Sequence, residues 1–235
     1  YTYTAGWRAD ADVHEVKDHS LATLRRQIGE SRERLGEHLD LYQIHWPEST
    51  TPISETMEAV QRLIEQGKVR AAGVCNYNAA QMIEAEETIK LASNQVPYSM
   101  VKRGIETDVV PYCLKHNKSI LAYSPLERGL LTGKIKPGHK FNDGDHRAEY
   151  RYFSEENILS TNLVLDRIKA LAQEKNCTLS QLVLRWTIEQ PGITIALVGA
   201  RNVEQATANA KAIEVKLSQD EIGFINEQLA DLVIV

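Results

Sequence analysis

The chain has 235 residues, 43% of them hydrophobic and 25% charged, an ordinary balance for a globular protein of one large α/β domain or two small ones. A net charge of −5 excludes a general nucleic-acid or anionic-membrane binder, which carries a basic excess. No apolar run reaches the roughly 18 residues of a membrane span, and the polar, aromatic first ten residues do not read as a signal peptide.

In chain order, residues 18–36 place Leu21, Leu24, Ile28 and Leu35 on a helical stripe that Gly36 ends. The run LDLYQIHW, 39–46, is too short for a helix before Pro47 and reads as a strand. A helix is predicted over 54–66, opened by Ser54 and closed by Gly67, followed by a strand VRAAGV at 69–74. A helix over 79–92 leads into a short strand, NQVPYS, which Pro97 weakens. Residues 106–117 read as a helix kinked or started late by Pro111, and SILAYS, 119–124, as a strand. From about Arg128 to Glu156 runs a polar loop whose length marks it as functional. Helices at 161–175 and 179–190, a strand at 193–199, a helix at 203–212 and a last helix opened by Ser218 follow.

Apolar strands each followed by a helix indicate a parallel sheet covered by helices. Five strands are too few to close an eight-stranded barrel. An open doubly wound sheet takes five, yet no GxGxxG turn follows any strand. Cys75, Cys113 and Cys177 form no CxxC pair, so neither a metal knuckle nor a disulfide framework is expected, and reduced thiols point to the cytoplasm. In α/β barrels the functional groups lie at strand C-terminal ends. Here those ends carry His45 and Trp46; Cys75, Asn76 and Tyr77; Gln95; Tyr123 and Ser124; and Gly199, Ala200 and Arg201.

Four segments carry a resemblance: LDLYQIHWPE (39–48), EQGKVRAAGVCNYN (65–78), LAYSPLERGLLTGK (121–134) and LVGARNVEQATANAKAIEVKLSQDEI (197–222). In order and spacing they resemble the motifs of aldo-keto reductases, in the bacterial-type branch related to potassium-channel β subunits. The likeness runs from about residue 18 to the C-terminus. It implies a (β/α)8 TIM barrel, present here as one partial domain over 1–235 without roughly its first three strands, carrying a substrate loop at 128–156. It also implies NADPH-dependent reduction of aldehydes and ketones to alcohols, with NADH as the alternative cofactor. The expected partner is a small carbonyl substrate, with no nucleic acid, membrane or metal.

The resemblance gives His45 the part of the active-site histidine that hydrogen-bonds the carbonyl oxygen, chemistry an imidazole can perform. Without the IHWP context, a lone histidine would read as a core residue. Asn76 and Gln95 match the side chains that hold the nicotinamide carboxamide, and amides offer the donor and acceptor it needs. Tyr123 matches the ring stacked on the nicotinamide. Ser124, Leu126 and Gly129 match the segment crossing the pyrophosphate, with Gly133 and Lys134 beyond it. Gly199 and Arg201 match the strand-end loop near the adenosine 2′-phosphate; a guanidinium fork there favours NADPH. Gln205 and Asn209, four apart on the next helix, match positions near the adenine.

The sequence departs from the family at two places. Cys75 stands where the family usually has serine, and reads as an inert buried thiol. The family's catalytic aspartate, tyrosine and lysine precede the segment matched by LDLYQIHW. Tyr1, Tyr3 and Asp10 have the right chemistry in the wrong context. The chain therefore reads either as part of a working reductase or as a catalytically incomplete short form that binds only a nucleotide or a partner.

Overall fold

Ser20 opens the first helix, α1, Leu21–Leu35: its hydroxyl accepts the Thr23 N–H, satisfying one of the orphan donors of the first turn. Asp18 reinforces the cap by accepting the Ser20 N–H at 2.8 Å and the Thr23 hydroxyl at 2.6 Å, and these bonds hold its carboxyl down at about 2. The computed structural model describes residues 2–3, 15–16, 18–36 and 38–235. Tyr1 and Asp10 lie outside the described residues, and Tyr3 is described only as backbone, in a two-residue antiparallel ladder of Thr2–Tyr3 with Glu15–Val16.

The chain divides into two compact units, Tyr1–Val96 with Thr107–Ile120 and Pro97–Glu106 with Leu121–Val235. In the first unit, strand β1 (Leu39–Ile44) runs parallel to β2 (Val69–Cys75), which runs parallel to β3 (Leu91–Pro97, its last residue in the second unit). Helix α2, Ile53–Glu65, crosses from β1 to β2 and buries Met57, Val60 and Leu63. Helix α3, Ala79–Glu86, links β2 to β3 and starts on a reciprocal capping box between Asn78 and Gln81. Ile28 of α1, Leu39, Leu63 and Val69 form one apolar cluster, with Tyr42 and Ile64 packed on it. Helix α4, Val109–His116, is capped by Asp108 and ends on Asn117 in the left-handed region. Pro111 sits in its first turn, where a missing N–H costs nothing.

Strand β4 (Ser119–Tyr123) begins in the first unit and ends in the second, where strand β5 (Ile193–Leu197) neighbours it. Between them lie three 3-10 turns, Glu127–Thr132, His146–Glu149 and Arg151–Phe153, then helices α5 (Glu155–Glu174) and α6 (Leu179–Glu189). Helices α7 (Val203–Ala210) and α8 (Gln219–Ala230) follow, each opened by a side-chain cap. The second core is built on Trp186, wholly buried, with its ring stacked on Tyr98 at 6.0 Å and its indole N–H donated to Asn226 at 3.0 Å. No helix among the described residues is long and apolar enough to cross a membrane.

Five strands alternating with helices are the predicted pattern, with several boundaries moved, the helix expected over 54–66 among them, which runs Ile53–Glu65. The helix expected over 79–92 stops at Glu86, and β3 starts at Leu91 rather than residue 94. Helix α5 starts at Glu155 rather than 161, because Ser154 caps it through the Asn157 N–H.

Candidate active site

In the first unit, the ends of three adjacent strands are tied together by hydrogen bonds. β1 ends at Ile44, and the next residue, His45, is exposed with its ring edge-on to Trp46 at 6.2 Å. Asn76 follows β2 at φ 60°, a left-handed conformation that asparagine tolerates better than most residues. That turn aims the Asn76 Nδ2 at the His45 carbonyl, 3.2 Å away, and the Asn76 N–H at the Gln95 carbonyl, 2.9 Å away. Thus His45, Asn76 and Gln95, three of the predicted site residues, meet at one place. Cys75 is buried, and burial pushes its thiol up to about 12, opposed in part by the Gln95 peptide. It is an inert thiol at neutral pH.

Behind these ends lies a polar rung that the sequence did not single out. Gln43 on β1 pairs in register with Gly73 on β2, and Gly73 with Ser93 on β3. The Ser93 hydroxyl donates to Gln43 Oε1 at 3.2 Å, and Gln43 Nε2 donates to Gln95 Oε1 at 2.9 Å. The two side chains meet across β2 only because position 73 has none: a Cβ there would lie 2.5 Å from Ser93 Oγ and 3.1 Å from Gln43 Oε1. A glycine inside a strand is a signal of such close approach. VRAAGVC therefore carried the hint.

In the second unit, the half-buried Tyr123 closes β4, and its carbonyl accepts the Tyr98 N–H at 3.1 Å. The loop beyond it is unusual: Ser124, Glu127, Arg128 and Gly129 all have positive φ, from 40° to 98°. Three of these are not glycine, and such conformations persist only where surrounding bonds hold them. Those bonds are Glu127 N–H to the Ser124 carbonyl at 2.8 Å, and the Gly129 and Leu131 N–H groups to the Leu126 carbonyl at 3.0 and 3.2 Å. Glu127, 2% exposed, is another residue that the sequence did not single out. Burial pushes its carboxyl up, and Lys102, Arg128 and hydrogen bonds from Ser99 and Tyr150 only partly oppose that. Nothing in the local pattern LERGLL marks it as buried.

Also in the second unit, Gly199, Arg201, Gln205 and Asn209 converge. Gln205 Oε1 accepts the Arg201 N–H at 2.9 Å, and Asn209 Nδ2 donates to the Gly199 carbonyl at 3.2 Å. Their spacing on α7 turns both amides back onto the loop after β5. The Arg201 guanidinium is exposed. In the polar segment 135–156, Arg147 grips Asp145, holding that carboxyl down at about 2, and donates to the Arg128 carbonyl at 3.2 Å.

Comparison with known proteins bears on what these strand ends belong to. Residues 6–230 match the model of the aldo/keto reductase family. The chain is 33% identical over 220 residues to the NADH-specific methylglyoxal reductase of Escherichia coli (strain K12), covering 92% of this chain and 67% of that protein. It is 32% identical over 214 residues to aldo-keto reductase YhdN of Bacillus subtilis (strain 168), covering 90% and 65%. Among solved structures, the glycerol dehydrogenase AKR11B4 of Gluconobacter oxydans superposes with a TM-score of 0.88 at 35% identity, covering 94% of this chain and 67% of that one. The chain thus spans about two thirds of the length of these relatives. Its alternation of parallel strands and helices is of the family's (β/α) barrel type. The chain belongs to the aldo/keto reductase family.

Proposed function

We propose that the chain serves an NADPH-dependent oxidoreductase that reduces small aldehydes or ketones to alcohols. The observation that carries this is the convergence of His45, Asn76 and Gln95 at three neighbouring strand ends, fixed by the Asn76 bonds to both partners. Within each unit, the residues present suit one part of a nicotinamide dinucleotide. Asn76 and Gln95 bring amide donors and acceptors suited to a carboxamide. The left-handed backbone from Ser124 to Gly129 supports reading this segment as the loop that crosses the pyrophosphate. Leu126 lies within that loop, and Tyr123 at its start offers a ring face for the nicotinamide. Gly199, Arg201, Gln205 and Asn209 supply a cation and two amides for the adenosine end.

A reduced nicotinamide, when bound, would supply hydride to the carbonyl carbon. His45 would orient the substrate for that transfer and hydrogen-bond its oxygen as negative charge develops there. No tyrosine, lysine or aspartate of the chain is assigned to proton donation. The reading is supported by the names of two relatives, a methylglyoxal reductase on the carbonyl side and a glycerol dehydrogenase on the alcohol side.

Arg201 is the basis for choosing NADPH, whereas the Escherichia coli relative is named for NADH. A fluorescence titration decides between them. Arg201→Ala should weaken NADPH binding by about 1.5–3 kcal/mol, the range for a hydrogen bond to a charged group, and leave NADH binding nearly unchanged. Equal losses for both cofactors would show that Arg201 does not read the 2′ position. Binding without any aldehyde reduction would support the short form that only binds nucleotide.

A further inference from the structure

We infer that Gln43 is a positioning residue: it fixes which end of the Gln95 amide is presented to the nicotinamide carboxamide, and so sets the polarity of that contact. The inference rests on the proposed role of Gln95. An amide side chain offers a carbonyl at one end and an NH2 at the other, nearly identical in shape and opposite in hydrogen-bonding sense. An isolated glutamine beside a ring carboxamide can bind it either way round. Here the choice is made by the protein. In the structure the Ser93 hydroxyl donates to Gln43 Oε1 at 3.2 Å. Gln43 must then turn Nε2 the other way, where it donates to Gln95 Oε1 at 2.9 Å. That bond engages the Gln95 carbonyl and leaves its Nε2 as the end that donates outward, to a ring carbonyl oxygen.

Gly73 makes the relay continuous. Any side chain at 73 would stand between Ser93 and Gln43, within 2.5 Å of the hydroxyl oxygen, in the middle of the strand that separates them. Gln43 itself is two residues before His45 and two strands away from the Gln95 backbone, so its effect reaches the cofactor through the Gln95 side chain.

The test compares two ligands in the intact protein at pH 8: NADPH and its 3-acetylpyridine analogue, which keeps the ring carbonyl but has methyl in place of the amide nitrogen. In Gln43→Glu the ionised carboxylate can only accept, so Gln95 must turn its Nε2 inward and present Oε1 to the ring. NADPH can answer with its own amide N–H, and the analogue cannot. Affinity for the analogue should therefore fall about fivefold to tenfold more than affinity for NADPH, the worth of one hydrogen bond made or left unmade. Should Gln43→Glu not fold, Gln43→Leu releases the Gln95 amide and should shift the same ratio in the same direction by about twofold. A ratio equal to that of the native protein, with Gln95→Ala weakening both ligands, overturns the inference while the role of Gln95 stands. If Gln95→Ala weakens neither ligand, Gln95 does not hold the carboxamide and the inference falls with it.

Discussion

His45 and Asn76 show how much of the site can be read from single residues. Both sit directly after an apolar run, where strand ends in α/β folds collect function. The structure brings them together through a side chain to backbone bond. Gln43 and Ser93 escaped such reading because each looks like a polar position on a half-buried strand. Their importance comes from register, which pairs positions 43, 73 and 93 from three separate segments. Register between distant strands is set by tertiary packing and leaves no local trace. The His45 reading is tested by separating binding from chemistry. His45→Ala should leave cofactor affinity nearly intact if, as proposed, the imidazole serves the substrate carbonyl and not the dinucleotide. In the intact protein it should lower kcat on a reactive aldehyde by roughly 10²–10⁴, the usual worth of a positioned acid or base. Stopped-flow and binding measurements on the same preparation check both halves; loss of cofactor binding alone would move His45 from the carbonyl to the dinucleotide.

At the level of elements, existence and order were legible and boundaries were not. Periodicity located all five parallel strands, but it extended α3 to 92. The true stop lies in contacts from far along the chain. Glu86, the last residue of α3, accepts the Leu91 N–H at 3.1 Å, and Lys118 donates to the Leu91 carbonyl at 2.9 Å while pairing with Glu86 itself. Both polar groups of Leu91 are thereby met by side chains, and β3 can begin there. Burial pushes the Glu86 carboxyl up, but Lys118, Tyr112 and the Leu91 peptide outweigh it, so the net shift is downward from 4.5. A carboxyl lowered on folding stabilises the native state above its unfolded value, and that contribution is lost as pH falls below about 4.5. Lys118→Met should cost about 3 kcal/mol by leaving a buried carboxylate without its cation. The double change Glu86→Gln with Lys118→Met should be milder than Lys118→Met alone, read from urea midpoints. Additive losses would mean the pair is not coupled.

For the molecule as a whole, stability at neutral pH carries a burden at Glu127. Its carboxyl is raised on folding, the opposite sense to Glu86, so it holds its proton in the native state after the unfolded chain has released it. Stability therefore falls as pH climbs above the unfolded value of 4.5. Glu127→Gln keeps the shape and the Ser99 contact while removing the charge. It should raise Tm at pH 7 by about 2–4 °C, the shift expected for roughly 1 kcal/mol in a chain of this size. The gain should shrink toward pH 4, where the native carboxyl is protonated as well. A gain independent of pH would show that the charge is not its source.

Gly73 has a consequence for how such a chain can vary over generations. The vacancy at 73, the hydroxyl at 93 and the amide at 43 make sense only together. Alanine at 73 alone collides with both neighbours, and an apolar residue at 43 alone removes the Ser93 hydroxyl's partner at 43. Inheritance should therefore treat the three positions as one character. Relatives that lose the glycine should also have replaced glutamine or serine, so the rung should appear in a lineage whole or be gone.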